Sequence, residues 1–375
     1  MELQKTEVVF QRNSNIDALR GIAFIAVILV NLLGEFRVPF LMQLQQFHTE
    51  PGPLNHAVDW FVGITLDQKG FTILSFLFGV GISIMVERNK FYASILLRRF
   101  LFLLFLGLVH IFFVFSGDIL VLYSLCGLLL IPLSFLESTS LCVVVVLLFA
   151  ARIFISWPNF PFEASSAELI DGAYRFYGEG TFREALSFRQ FELQHLIWPL
   201  LLRVWPRTLA VMLLGYLSWK HKWITQIQKS EFGRFVFQIA FSCGALFTSL
   251  EAYLASNSIN VGRWNTFVGD IGILGLALAY SIFLIRMSSS NKFIKWLAPL
   301  GQLGLTTYLT QTILLGFIFY GYGLGLFGKI GSFSAAGLAL CFYLLQLVIS
   351  KIYLSKYKTG PVEYIWRKIT YLGVK

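Results

Sequence analysis

Ten long apolar runs, separated by short polar segments, dominate the pattern of this chain. They cover residues 17–36, 62–86, 97–115, 118–135, 139–156, 196–218, 233–255, 267–286, 297–320 and 333–354. A helix needs about 20 apolar residues to cross the hydrocarbon of a bilayer, and lipid cannot satisfy exposed backbone groups. The runs also lack the alternation of a membrane-barrel strand. The pattern predicts an all-α polytopic membrane protein, a single domain over residues 1–375 with about ten transmembrane helices in one bundle.

The composition agrees with a lipid bilayer as the main partner. The 375 residues are 57% hydrophobic and 13% charged, whereas ordinary soluble domains are about 25% charged. The net charge of +10 comes from short clusters of Lys and Arg between the runs. Nucleic-acid binding needs one concentrated basic face, so it is not expected. The four cysteines lie in apolar runs without metal-binding spacing, and no metal site is predicted.

The distribution of positive charge predicts the orientation of the chain. Short loops rich in Lys and Arg stay in the cytoplasm. With the N-terminus inside, the cytoplasmic segments carry 20 Lys and Arg residues, against 6 on the opposite side. Both termini are therefore predicted to lie in the cytoplasm, with the chain in the cell's inner (cytoplasmic) membrane. The long segment 157–195 then lies outside, either as a lid or binding loop or as an amphipathic helix on the bilayer surface.

The stretch LVHIFFVFSGDILVLY, residues 108–123, is the first candidate site. His110 lies near the predicted outer end of one run, and Asp118 opens the next. Helices joined by a two-residue turn are antiparallel neighbours, so the two side chains are expected to approach each other. A carboxylate that fixes a histidine tautomer supports a general base. The alternative is a helix-capping aspartate beside a buried histidine. Gly107, one turn before His110, leaves room for a neighbouring helix or a substrate.

Other polar residues inside the runs are candidates because an ionisable side chain costs about 2.5–3.5 kcal/mol to insert. In the first run, Asp17, Arg20 and Asn31 fall on one face. Asp17 and Arg20 have the i,i+3 spacing of a helical ion pair. This stripe is either a ligand site on the cytoplasmic side or a structural pair.

Two further runs contain cations. The second is too long to cross the membrane straight and is predicted to break at ITLDQKGFT, which places Lys69 near the outer third of the membrane. Lys69 either holds an anion or extends to the interface. In the sixth run, Arg203 and Arg207 share a face beside Pro206. They form either a buried phosphate or pantetheine site or a pair neutralised by protein carboxylates.

The ninth run, LGQLGLTTYLTQTILLGF, places Gly304, Tyr308 and Gln311 on one face. Such polar residues either cross-link helices or line a cavity. Tyr308 and Gln311 are candidate substrate-binding residues for this reason.

Five separated segments of the chain resemble a known family. They are IDALRGIAFIAVILVNL, DQKGFTILSFLFGVG, LLRRFLFLLFLGLVHIFFVFSGDILVLYSLCGLLL, GLTTYLTQTILLGFIFYGYGLGLF and KTGPVEYIWRKITY. Their order and content resemble the YeiB-like family of bacterial integral membrane proteins, a family of unknown function, over nearly the whole chain. One position departs from it: Gln302 stands where the family commonly has an arginine, so a donor phosphate held by that arginine would need another group here.

That family looks related to the transmembrane acyltransferases. The resemblance implies a bundle of about ten helices. It also implies transfer of an acyl group from cytoplasmic acyl-CoA, favouring acetyl-CoA, to a hydroxyl or amine acceptor. That acceptor would be extracytoplasmic or membrane-bound, such as a glycan or a lipid-linked molecule. The central histidine of such enzymes would be His110, supported by Asp118. The competing hypotheses are a secondary transporter of a small anionic or polar solute with a His110/Asp118 proton relay, and a scaffold without chemistry.

Overall fold

The computed structural model describes residues 14–44, 50–155, 166–288 and 296–373, and these residues contain helices but no strand. The helices are α1 (Ser14–Asn31), α2 (Phe40–Leu44), α3 (Pro53–Thr65), α4 (Lys69–Arg88), α5 (Tyr92–Phe113), α6 (Leu120–Leu133), α7 (Ser138–Ile155), α8 (Ser166–Gly178), α9 (Phe182–Glu192), α10 (Trp198–Lys220), α11 (Trp223–Lys229), α12 (Glu231–Ser256), α13 (Arg263–Ser288), α14 (Ala298–Gln302), α15 (Gly304–Phe319), α16 (Ser332–Lys356) and α17 (Pro361–Thr370). Two π-helical turns, Leu32–Phe36 and Leu193–Ile197, follow α1 and α9. The predicted all-α fold is confirmed.

Within the described residues, eight helical segments are long and apolar enough to cross a membrane, which makes the chain a multi-pass membrane protein. The other two predicted runs form shorter helices. α6 has 14 residues and α15 has 16, or about 21 and 24 Å at 1.5 Å per residue. The count of ten spans and the orientation of the termini stay predictions. The two short helices are also the ones that border the candidate site.

The second apolar run is interrupted, as predicted. α3 ends at Thr65, α4 begins at Lys69, and Gln68 between them has a left-handed backbone with φ 58°. A non-glycine residue seldom adopts this conformation, because its Cβ crowds the backbone. The break places Asp67 and Gln68 in a turn between the two helices, and Lys69 at the buried start of α4.

Each of the two π-helical turns contains or adjoins a glutamate, of which Glu192 is buried and Glu35 is partly buried. Glu35 is inside the first turn, and Glu192 immediately precedes the second. A π-helical turn adds a residue to a helix locally and occurs frequently at functional sites. Both glutamates reach the loop between α5 and α6, as described below.

The segment predicted as a long outer loop contains two helices, α8 and α9; its residues 157–165 lie outside the described residues. α9 begins with a capping box, in which Thr181 and Glu184 each bond to the other's backbone N–H. Phe188, Arg189 and Glu192 form its buried face. α9 therefore packs against the protein along this face.

The helix α17 fixes the start of α15 and the N-terminal half of α5. The Glu363 carboxylate accepts hydrogen bonds from the backbone N–H groups of Leu305 (2.8 Å) and Thr306 (2.9 Å). These groups have no partner within their own helix, and an anion is favourable there. The Trp366 indole donates to the Arg99 carbonyl at 3.0 Å, and the Arg99 guanidinium lies 3.6 Å from the centre of that ring. One short helix thus holds the two helices that carry the candidate site.

Candidate active site

The connection between α5 and α6 spans residues 114–119, so the predicted two-residue turn is wrong. The first N–H groups of α6 need an acceptor. The Asp118 Oδ1 atom provides it, accepting from Leu120 (2.7 Å) and Val121 (3.0 Å). Capping from Asp118 starts α6 at Leu120 and lengthens the connection. Asp118 is therefore a helix-capping residue, as one of the two interpretations of the sequence predicted.

The other oxygen of Asp118 contacts His110. Asp118 Oδ2 lies 2.6 Å from His110 Nδ1, and both residues are 2% exposed. The Tyr308 hydroxyl donates to the same oxygen at 3.2 Å. An ionised carboxylate can only accept hydrogen bonds, so Nδ1 must carry a proton when Asp118 is charged. In a neutral ring the lone pair is then on Nε2, the arrangement that a general base requires.

The Nε2 atom faces a threonine that the sequence analysis did not single out. Thr312 Oγ1 lies 2.7 Å from Nε2, and also 3.1 Å and 3.2 Å from the carbonyl oxygens of Leu309 and Tyr308. The hydroxyl has one hydrogen. It donates to Nε2 when the ring is neutral, and to a carbonyl when the ring carries a second proton. Asp118, His110 and Thr312 therefore form a connected triad that accommodates both protonation states of the imidazole.

Aromatic rings surround this triad. The His110 ring centre lies 5.3 Å from that of Tyr308 and 6.2 Å from that of Phe115. Phe115 in turn stacks on Phe36 at 4.6 Å. Electrostatic interactions are stronger in such an enclosure than in water. Gln311, next to Thr312 on α15, is fully buried, and its amide has no hydrogen-bond partner among the described residues.

Two further carboxylates reach the loop that carries Asp118. A Cβ atom added to Gly117 would lie 1.6 Å from Glu35 Oε2, so only glycine leaves room for that carboxylate in this arrangement. Glu192 interacts with the Ser116 hydroxyl and accepts a hydrogen bond from Tyr177 at 2.9 Å. Burial raises the pKa of the Tyr177 hydroxyl, which keeps it protonated and able to donate to Glu192.

Gly107 determines how closely α5 and α6 approach. A Cβ atom there would lie 2.8 Å from the Val121 backbone nitrogen and 3.0 Å from the Leu120 Cβ atom. The space beside His110 therefore accommodates the neighbouring helix.

We expect Gly107→Ala to destabilise the protein by about 1–3 kcal/mol, the usual cost of overpacking, and to separate His110 from Asp118. Thermal denaturation in detergent measures the first effect. Gly337→Ala is the matched control, because Gly337 is also in a long helix and nothing lies within 4 Å of its added Cβ. Equal melting temperatures for the two variants would contradict this account of α5–α6 packing.

Another group of predicted residues gathers at the break between α3 and α4. Lys69 is buried and donates to the Gly63 carbonyl at 3.3 Å. Arg207 bonds to Asp270 at 2.7 Å and to the Gln68 side chain. This is the carboxylate-neutralised alternative for Arg207, and Asp270 was missed in the sequence. A carboxylate inside an apolar run was the available signal.

Arg203 does not share this buried position. It is partly exposed, lies near Arg152, and faces a more open environment than Arg207. A phosphate-binding role for the predicted Arg203/Arg207 pair stays a prediction.

The polar residues predicted to share one face of α1 are separate from both the His110 triad and the break between α3 and α4. Arg20 pairs with Asp17 at 3.0 Å, as its spacing predicts, beside Gly301 of α14. Asn31 is partly exposed at the end of α1. Gln302, the position of the departure from the family pattern, donates to the Lys358 carbonyl at 3.0 Å. The ligand-binding roles of this stripe stay predictions.

Comparisons with known proteins give relatives over nearly the full chain. Residues 218–373 match the family model described as protein of unknown function DUF418. The chain is 25% identical to the uncharacterized protein YxaH of Bacillus subtilis, covering 97% of this chain and 95% of that protein. It is 27% identical to an uncharacterized 39.9 kDa protein in the amylase 3' region of Bacillus acidopullulyticus, covering 96% and 94%.

A third relative is the protein named in the sequence resemblance. The chain is 25% identical to the uncharacterized protein YeiB of Escherichia coli, covering 96% of both chains. No solved structure matches the chain. The family model and these full-length relatives confirm the predicted resemblance: the chain is similar to the YeiB-like proteins of unknown function over nearly its whole length.

Proposed function

We propose that this protein is a membrane-embedded acyltransferase. It moves an acyl group from cytoplasmic acyl-CoA to a hydroxyl or amine acceptor that is extracytoplasmic or membrane-bound. In this proposal the chain lies in the cytoplasmic membrane with both termini inside. The observation that carries the proposal is the buried His110 ring, held between the Asp118 carboxylate and the Thr312 hydroxyl at 2.6 and 2.7 Å.

The geometry supports general-base chemistry at Nε2. Asp118 holds the proton of neutral His110 on Nδ1, so Nε2 is free to accept one. In the proposed reaction the acceptor hydroxyl takes the place of the Thr312 hydroxyl at Nε2. Thr312 then donates to a carbonyl of its own helix, at 3.1–3.2 Å. Because Thr312 has this second partner, its departure from Nε2 leaves no unsatisfied hydroxyl.

One histidine can carry out both proton transfers of the proposed reaction. As Nε2 takes the acceptor proton, the acceptor oxygen or nitrogen attacks the thioester carbonyl and forms a tetrahedral oxyanion. The carbon–sulfur bond then breaks, and the imidazolium returns its proton to the CoA thiolate. Gln311 is the candidate donor to the oxyanion, because its buried amide lies next to Thr312 on α15.

This mechanism makes a specific prediction for Thr312. Thr312→Val removes the hydroxyl but keeps the shape of the side chain, and we expect transfer within about tenfold of the wild-type rate, since the acceptor replaces that hydroxyl. The rate is measured with labelled acetyl-CoA and an acceptor, with Thr310→Val, at an exposed threonine of the same helix, as control. A loss above about a hundredfold would instead assign Thr312 as a nucleophile that carries the acyl group.

The proposal as a whole is tested by incubating purified protein with radiolabelled acetyl-CoA and candidate acceptors. Transfer of label or hydrolysis of the donor is the expected result. A donor that remains intact with every acceptor, together with solute uptake into proteoliposomes, would replace the proposal with the second candidate.

That second candidate is a secondary transporter, favoured by one observation. The break at Leu66–Gln68 lies beside buried charges, including Lys69 and Asp270, and interrupted helices form the binding sites of many transporters. The bonds from Arg207 to Gln68 and Asp270 give these charges a structural role as well. The acyltransferase accounts for the His110 triad more directly, so we place it first.

A further inference from the structure

We propose that Arg189 of α9 forms a binding site for an anionic group, either a carboxylate or a phosphate, that a row of contacting aromatic rings connects to the His110 triad. This binding does not depend on acyl transfer. If the proposed function holds, the bound anion is part of the acceptor.

The main observation is a buried guanidinium whose N–H donors are largely unsatisfied. Arg189 is fully buried, and its Nε, Nη1 and Nη2 atoms have no hydrogen-bond partner among the residues that the structure describes. A guanidinium carries five N–H donors and keeps its charge in proteins. Leaving such donors buried and unsatisfied is costly. The arrangement therefore points to a ligand that accepts these hydrogen bonds.

The neighbours of Arg189 are mainly aromatic rings, which offer few hydrogen-bond acceptors. Its Cζ atom lies 5.6 Å from the Tyr177 ring centre and 5.7 Å from that of Tyr320, and these two rings stack at 4.8 Å. Such ring faces attract a cation but do not replace hydrogen bonds. The Tyr322 hydroxyl interacts with the guanidinium, but a single hydroxyl oxygen can accept only a minority of its five N–H groups. A planar guanidinium beside this stacked pair of rings is suited to bind two oxygens of one carboxylate or phosphate.

The carboxylate closest in sequence, Glu192, is already occupied. It accepts from the Tyr177 hydroxyl at 2.9 Å and interacts with Ser116. Its charge offsets that of Arg189, but it does not hydrogen-bond to the guanidinium. Glu192 thus holds the Tyr177 ring in place, while the N–H donors of Arg189 are available for a ligand.

Aromatic contacts connect this site to the imidazole. Tyr320 lies 5.7 Å from Phe36, Phe36 lies 4.6 Å from Phe115, and Phe115 lies 6.2 Å from His110, all between ring centres. A molecule with its anionic end on Arg189 is therefore held within a few aromatic rings of the general base. Glu35, with one carboxylate oxygen unpartnered among the described residues, borders the same path beside Gly117.

The experiment measures anion binding to the full-length protein. Thermal stability in detergent is recorded during titration with sodium phosphate, sodium acetate and, at equal ionic strength, sodium chloride. A second arm compares nanodiscs of phosphatidylcholine with and without phosphatidic acid. We expect saturable stabilisation by phosphate or acetate if the natural anion is soluble, and by phosphatidic acid alone if it is a lipid headgroup.

Substitutions assign the binding to Arg189. Arg189→Lys keeps the charge but loses the paired N–H donors, and we expect binding at least about tenfold weaker. Arg189→Gln is expected to remove it. Arg183→Gln is the matched control, because Arg183 is an exposed arginine of the same helix, and it should bind as the wild type does.

Two results would overturn the proposal. One is a wild-type protein that no anion stabilises more than chloride does, and the other is equal loss of binding in Arg183→Gln and Arg189→Lys. If Arg189→Gln does not fold, the wild type and Arg189→Lys still decide the question. Loss of acyl transfer with anion binding intact would count against the proposed function and not against this site.

Discussion

Replacing His110 with alanine is expected to lower acyl transfer by about 10²–10⁴-fold, the usual contribution of general acid–base catalysis. In the proposed mechanism the imidazole takes the acceptor proton and returns it to the leaving thiolate, and no described side chain in contact with it can take over both steps. The side-chain hydrogen-bond partners of His110 are Asp118, which only accepts hydrogen bonds when ionised, and Thr312. Transfer of labelled acetyl groups under single-turnover conditions measures the chemical step.

A second histidine provides the control for this substitution. His195 is partly buried, and its Nδ1 atom lies 2.8 Å from the Phe191 carbonyl, away from the triad contacts. His195→Ala removes the same side chain and should leave the rate nearly unchanged. Melting temperatures of both variants show whether the fold is retained. A folded His110→Ala protein with wild-type transfer would exclude His110 as the base.

Replacing Asp118 with asparagine is expected to lower transfer by a similar factor while leaving α6 in place. Asparagine still caps a helix through its side-chain oxygen, so the N–H groups of Leu120 and Val121 keep an acceptor. The neutral amide no longer holds the proton on Nδ1 of His110. The ring is then free to carry its proton on Nε2, where it cannot act as a base.

The alanine variant separates the two roles of Asp118. Asp118→Ala removes the cap as well and should lower stability by about 1 kcal/mol relative to Asp118→Asn. Transfer assays and thermal denaturation of both variants are needed together. If Asp118→Asn transfers acyl groups normally and only Asp118→Ala is unstable, Asp118 is a capping residue alone.

The sequence predicted well those features that depend on neighbouring residues. The apolar runs predicted the helices, and ITLDQKGFT predicted the break before Lys69. The antiparallel arrangement of two runs joined by a short turn predicted the contact between His110 and Asp118. Each of these follows from local chain geometry. The predicted length of the α5–α6 connection was too short, because Asp118 caps α6 from two residues before the helix begins.

Contacts between distant segments could not be predicted in this way. Thr312 is 202 residues from His110, and Arg207 is 63 residues from Asp270. Which helices pair depends on packing across the whole bundle. Glu35 illustrates another limit, since the π-helical turn at Leu32–Phe36 adds a residue and rotates the chain beyond it. A face assigned at 100° per residue is therefore no longer valid past Leu32.

The cap that α17 places on α15 also affects the order of assembly during translation. Glu363 follows Leu305 by 58 residues, which takes about 3–12 s at the usual rate of synthesis of 5–20 residues per second. Until then, the N-terminal N–H groups of α15 lack the carboxylate that holds them in the finished protein. The nascent chain is thus expected to carry His110 and Asp118 in place well before Thr312 is fixed against them, so that the triad becomes complete only when α17 emerges and docks.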